Sequence, residues 1–361
     1  MICCVECFRD SEIRAAIKMI GHKGKCPICN RQDVWIYDSE KDLFSSNVEE
    51  LLDSILEIYI PESELPELYP EDEKMNIEER LLKDWEIFSG NTYEVKNIVT
   101  EIIDESFDLD SRLISEKIGV PQLYDEEYLR DNSILGVGNW DTFKKYIRNE
   151  NRFHGEYINY EILENILKET EIIIPKDEYF YRARLTDERH KNGFEKGEMG
   201  EPPCDVASAG RINSKGQSCL YLSNNMDTTV KEIRGQAFDG VTIATFNTKC
   251  ELHVLDLSSI AHFTPFYKDN NKINYLINER HLRRIKNDLA KPVSRLDSDL
   301  DYLPTQYISD FAKYLGYDGV KYYSTFDKES YNLALFNPNA CECVECENYI
   351  INNLDYHLIR N

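Results

Sequence analysis

Apolar residues recur along this chain with one period up to about residue 170 and with another beyond it. In the first stretch the spacing is helical. Val48, Leu51, Leu52, Ile55 and Tyr59 share one face behind Ser46-x-x-Glu49, a capping box in which a hydroxyl and a carboxylate satisfy the free amides of a helix start. Ile77, Leu81, Leu82, Trp85 and Phe88 form a second stripe, and Asn91-x-x-Glu94 opens a third through Val95, Ile98, Val99 and Ile102. Pro61, Pro66 and Pro70 break the first stripe from the second. Such stripes are the inward faces of a helical bundle rather than a cofactor-binding box.

From residue 173 the chain turns to short runs of strand character: EIIIP (171–175), EYFYRARL (178–185), CLYLS (219–223), VTIATFN (241–247), LHVLDLS (252–258), GVKYYS (319–324) and YNLALFN (331–337). Helical segments lie between them. Asp227 is placed to cap TTVKEIRGQ, and Pro304 opens TQYISDFAKYLG, which Gly316 can end. Short strands mixed with helices predict an α+β domain.

The first 38 residues stand apart. Cys4-Val-Glu-Cys7 and Cys26-Pro-Ile-Cys29 are two CxxC pairs, each able to hold two corners of a tetrahedron from one turn. Ile13, Ala16, Ile17 and Ile20 give the spacer between them helical periodicity. Four cysteine ligands imply a closed, structural Zn2+ site, with Cys3 a bystander that could replace Cys4. Near the end, Cys341, Cys343 and Cys346 are either three corners of another metal site, completed by His357 or by the amino-terminal unit, or free thiols. The predicted layout is therefore multidomain: a zinc-binding unit (1–38), a helical domain (39–172) and an α+β domain with a cysteine-containing tail (173–361).

Composition narrows the function classes. The 361 residues are 42% hydrophobic and 30% charged, as in a globular protein of two or more domains. No apolar run approaches the roughly 18 residues of a membrane span. The start, MICCVECFRD, lacks the apolar core of a signal peptide, so a cytoplasmic location and reduced thiols are expected. A formal charge of −24 opposes broad binding of nucleic acid, which needs a basic face, but permits a local basic pocket.

The candidate chemistry lies between Phe180 and Ser324. Arg182 and Arg184 close an apolar segment, Arg211 and Asn213 follow a glycine, Tyr221 lies in a strand-like run and Glu232 in an amphipathic one. Guanidiniums match phosphate or pyrophosphate bidentately, tyrosine offers a flat face, and a carboxylate can stabilise an oxocarbenium-like transition state. A buried Arg–Glu pair with a core tyrosine would leave the same letters in the sequence. A second motif, Arg148 and His154 in RNENRFHG, fits the loosely spaced pair of some helical nucleases, and equally a polar surface contact.

The ordered series FYRAR around Arg182, GRINSKG from Gly210, YLS at Tyr221–Ser223, TTVKEIR with Glu232, PTQYIS from Pro304, GYDGVKYYS ending at Ser324, and NLALFNP resembles the RES family. The resemblance covers about residues 178–338. It implies a fold related to ADP-ribosyltransferases and cleavage of the nicotinamide–ribose bond of NAD+, as in toxins of toxin–antitoxin systems. It assigns Arg182, Glu232 and Ser324 to the signature positions and Arg211 and Tyr221 to NAD+ contacts, to which Asn213 and Arg184 are added as candidate binding residues. Ile212 stands where those toxins usually carry tryptophan, the loop from Lys191 to Ser208 is long, and half the chain lies upstream. The CxxC pairs, the acidic helices and the segment around Arg148 resemble the HEPN-like domain often joined to RES domains. The family implies NAD+ as substrate, and the upstream half suggests control of the activity by a sensed ligand, by a neutralising or regulatory protein or by assembly of a homo-oligomer. A phosphorolytic variant is allowed, since an arginine-rich pocket can seat phosphate as acceptor; transfer of ADP-ribose to a macromolecule, a HEPN-type ribonuclease and an inactive regulatory or interaction protein are the alternatives.

Overall fold

Asp10 accepts hydrogen bonds from the amides of Glu12 and Ile13 and so starts α1 (Ser11–Ile20), which Gly21 ends with a φ of 86°. In the computed structural model this helix packs beside β1 (Ile2–Cys4) and β2 (Val34–Asp38), an antiparallel pair in which Cys4 faces Ile36. The structure describes residues 1–42, 47–105, 109–153, 155, 157–260, 265–266, 271–291, 299–327 and 329–354. The chain divides into two units, residues 1–137 with 262–280, and residues 138–261 with 281–361. The helical segment 138–172 is thus part of the second unit.

The first unit continues through α2 (Val48–Leu56), α3 (Ile77–Asp84) and α4 (Thr92–Glu105). The Asn91/Glu94 box forms as the spacing predicts, each side chain accepting from the other residue's amide at 3.1 Å. Ser46 lies outside the described residues. The stripe through Phe88 is not one helix: α3 stops at Asp84, Trp85 is extended, and Phe88 forms a bridge with Phe8, their rings 5.6 Å apart. Tertiary partners outcompete the helical period there, since the Trp85 indole donates to Tyr59 Oη at 2.7 Å and Ser89 N bonds Cys7 O at 2.9 Å. A short strand pair, Ile60–Pro61 with Ile118–Gly119, also interrupts the helices. Ile13, Ile17, Leu52, Ile55, Leu81, Val95, Ile98 and Ile102 join in one core.

In the second unit α5 (Trp140–Asn149) and α6 (Tyr160–Glu169) precede a mixed sheet. Its strands are β3 (Glu171–Ile174), β4 (Tyr179–Leu185), β5 (Leu220–Ser223), β6 (Gly240–Thr248), β7 (Leu252–Asp256), β8 (Gly319–Tyr323), β9 (Tyr331–Leu335) and β10 (Cys341–Ile350). They lie in the order β10-β6-β4-β5-β9-β8-β7-β3, with β7 and β8 parallel. Between strands come α7 (Met226–Glu232), α8 (Lys272–Ala290), of which only the part from His281 on belongs to this unit, and α9 (Leu303–Tyr314). Asn225, not Asp227, caps α7, its Oδ1 accepting from Thr228 N at 3.0 Å. The segment expected as a cysteine-bearing tail is the edge strand β10, bulged between Cys343 and Glu345.

The sheet buries both faces. Phe180, Leu220, Leu222, Phe246, Leu333 and Leu335 fill one side, while Ala183, Val241 and Ile243 meet Met226, Val230 and Ile233 of α7 on the other. Period-two alternation therefore turns Tyr181 and Ala183 toward α7. Glu232, Tyr221 and Asn332 lie on that side, whereas Arg182 shares the face of Phe180 and borders the cavity where β4 and β5 part.

Candidate active site

Glu232 is the last residue of α7 and opens into a cavity of about 650 Å3. The helix ends there because Arg234 takes a left-handed φ of 55°. Glu232 Oε1 accepts from Ser324 Oγ at 2.8 Å and from Asn332 Nδ2 at 2.7 Å, and Oε2 has no partner among the described residues. The Ser324 hydroxyl is oriented from behind, since Phe326 N donates to it at 3.2 Å. Asn332 faces Tyr322 across the β8–β9 ladder, and burial, with the nearby Glu232 charge, pushes the Tyr322 phenol well above its ordinary range. A hydroxyl and an amide thus hold one carboxylate oxygen in place.

The loop before β5 supplies the opposite wall. Asn213 Nδ2 donates to Ser208 O at 3.0 Å and Gln217 O at 2.8 Å, while its Oδ1 accepts from Tyr221 Oη at 2.6 Å. Gly210 fits because no side chain can: a Cβ there would come within 2.6 Å of Tyr221 Oη. From α9, Gln306 Nε2 donates to Gly210 O at 2.7 Å and Asn213 O at 2.9 Å, and Thr305 Oγ1 to Arg211 O at 2.7 Å. The loop is therefore locked from three directions with Arg211 in the cavity wall. The Arg211 guanidinium donates to the carbonyl of Leu289.

Arg182 lies where β4 and β5, paired at Tyr181 and Ser223, part from one another. Its Nη1 donates to the Tyr221 carbonyl at 2.9 Å, and its buried Nε has no partner among the described residues. Burial, and then the neighbouring Arg184 charge, lowers its pKa to about 10. Arg184 is elsewhere: its Nη2 donates to Gly200 O at 2.6 Å and its guanidinium lies 5.8 Å from the Phe194 ring, so it holds the loop from Lys191 to Ser208.

Of the residues singled out from sequence, Arg182, Arg211, Tyr221 and Glu232 line the cavity, and Ser324 stands behind Glu232. Asn213 and Arg184 do not line it; their polar groups bind loop backbone. Among the described residues no ion pair joins Glu232 to an arginine, so the buried-pair alternative does not describe this site. Asn332, Tyr322, Tyr181 and Thr229 also line the cavity and were not picked out. For Asn332 a signal existed, an amide inside the otherwise apolar run YNLALF.

The sulfurs of Cys4, Cys7, Cys26 and Cys29 lie within 4.8 Å of one another, with Cys4–Cys7 and Cys7–Cys26 at 3.7 Å and Cys4–Cys29 at 3.5 Å. Four thiolates about 2.3 Å from a tetrahedral zinc would stand ~3.8 Å apart, so the set fits a metal ion without rearrangement. Cys3 pairs with Tyr37 across β1 and β2 and is not in the group. Cys343 and Cys346 approach to 3.4 Å across the bulge, but no group of three metal-binding side chains forms there among the described residues. His357 and His154 both lie outside the described residues, and Arg148 is paired with Asp301 at 3.1 Å.

The second unit is an α+β domain whose mixed sheet carries a carboxylate-centred cavity with arginines in its wall. Residues 180–358 match the family model described as RES domain, and the chain therefore carries a RES domain. This family is associated with NAD+-related activity. No curated protein matches the chain. No helix among the described residues is long and apolar enough to cross a membrane.

Proposed function

We propose that the chain is an NAD+ glycohydrolase. One observation carries this reading: Glu232 reaches the cavity oriented by Ser324 and Asn332 and, among the described residues, is not paired with a cation. A carboxylate so held can face the ribose C1′ and stabilise the positive charge that develops as the glycosidic bond breaks. The bonding electrons pass to the pyridinium nitrogen, so nicotinamide leaves neutral and needs no general acid. Water adds at C1′ and releases a proton, giving nicotinamide, ADP-ribose and H+ from NAD+ and water.

The other groups have roles of positioning and charge. Arg182 and Arg211 supply the permanent positive charge a pyrophosphate requires, and Tyr221, its hydroxyl spent on the loop, offers its ring as a wall. In a cell this activity depletes NAD+, the action of a toxin or defence effector. The four cysteines take zinc in a structural role, which predicts about one zinc per chain by elemental analysis.

The test is chromatography of NAD+ incubated with the full chain. Release of nicotinamide with free ADP-ribose is the expected result. ADP-ribose attached to protein or nucleic acid would instead assign a transferase, and intact NAD+ would refute both.

A further inference from the structure

A second cleft of about 490 Å3 shares Arg211 and Tyr302 with the wall of the Glu232 cavity. Its lining is basic in a chain whose formal charge is −24. The three carboxylates in it are already engaged. Asp141 pairs with Lys144 at 3.3 Å and with Arg284, Asp288 accepts from Lys144 at 3.0 Å and Trp140 Nε1 at 2.7 Å, and Asp301 pairs with Arg148 at 3.1 Å. Among the described residues Lys145 and Lys291, which line the same cleft, have no acidic partner, and the Arg211 side chain bonds no group but a carbonyl. Three cations with no acidic partner among the described residues therefore share the lining of this cleft.

Such a lining fits a dense, compact anion. Ammonium groups act on phosphate as point charges, and a phosphate monoester carries about −1.5 to −2 at neutral pH. The order of groups from one cavity to the next is carboxylate, guanidinium, ammonium. That order matches reacting ribose, pyrophosphate and a further phosphate at the distal end of a dinucleotide. We infer that this cleft receives a phosphate on the adenosine end of the substrate, so that the enzyme prefers 2′-phosphorylated nicotinamide dinucleotide, NADP+, to NAD+. The inference rests on the glycohydrolase reading, extends its substrate class, and places the specificity on α5 and the end of α8.

The test compares kcat/KM for NADP+ and NAD+ in the full chain and in Lys145→Ala/Lys291→Ala. Both lysines are exposed, so the variant is expected to fold, which its melting curve verifies. Two exposed ammonium–phosphate contacts predict a preference of about tenfold for NADP+ in the wild type, falling toward one in the variant chiefly through KM for NADP+. Equal values for the two dinucleotides in the wild type overturn the inference. So does stimulation of NAD+ cleavage by inorganic phosphate without an NADP+ preference, which would give the lysines to a free anion.

Calorimetric titration of Glu232→Gln with each dinucleotide separates this inference from the reaction itself. Tighter binding of NADP+ that depends on the two lysines supports the cleft even if nothing is turned over; equal affinities refute it.

Discussion

Arg80 and Asp84 meet at 2.6 Å in the first unit, whereas Glu232 in the second has no guanidinium within ion-pair distance among the described residues. Arg80 is 1% exposed, and its Nη1 donates to the carbonyl and the carboxylate of Glu73. Tyr59 Oη donates to Asp84 at 3.0 Å and accepts from the Trp85 indole. Burial still pushes the Asp84 carboxyl upward against the pull of Arg80. This is a closed network in which charge is cancelled where it is buried. Around the Glu232 cavity Arg182 and Arg211 are kept apart from the carboxylate: each bonds a carbonyl, and the carboxylate bonds a hydroxyl and an amide. Keeping opposite charges unpaired around open space leaves both available to a ligand.

If that contrast is right, disturbing closed centres costs stability and disturbing the open one costs activity. The largest effect is expected from the four-cysteine group, because zinc bound by small domains contributes about 10–16 kcal/mol to their folding. A strong chelator is therefore expected to unfold the amino-terminal unit, seen as loss of circular dichroism that returns with zinc. Asp84→Ala strands a buried guanidinium and is predicted to cost ~3–5 kcal/mol in urea unfolding. The folded fraction should keep its nicotinamide release.

Ser324→Ala removes one charge-assisted bond to Glu232, worth about 1.5–3 kcal/mol, and is expected to lower kcat by roughly 10–100-fold with KM little changed. Combined with Asn332→Ala the losses should be less than additive, because both side chains orient the same oxygen. The smallest effect is assigned to Tyr221→Phe. It keeps the ring, loses the bond to Asn213, and is expected to cost about 1 kcal/mol of stability with a modest rise in KM.

What could be read from sequence was mostly local. The CxxC pairs hold their ligands within one turn each, the Asn91/Glu94 box spans four residues, and the strands from Glu171 to Leu335 announce themselves by composition and period. The site depends on longer reach. Ser324 and Asn332 meet Glu232 across 92 and 100 residues, and alternation alone does not tell which strand residue faces a cavity. Arg182 and Arg184 are two residues apart in one strand, yet one lines the cavity and the other fastens a loop. Asn213 was chosen for its place beside Arg211, but its amide is spent on Ser208, Gln217 and Tyr221. Strand β10 was hidden by its own composition, since cysteine and glutamate alternate there in a pattern that reads as metal ligands on a tail.

The most direct test of the account is nicotinamide release from NAD+ by Glu232→Gln, measured beside the wild type together with the melting temperature of each. Removing the charge while keeping the shape is predicted to reduce release by about 10²–10³ and leave melting unchanged, as expected where the carboxylate serves a ligand rather than the fold. Full release by the mutant, or melting lowered as far as in Asp84→Ala, would contradict it.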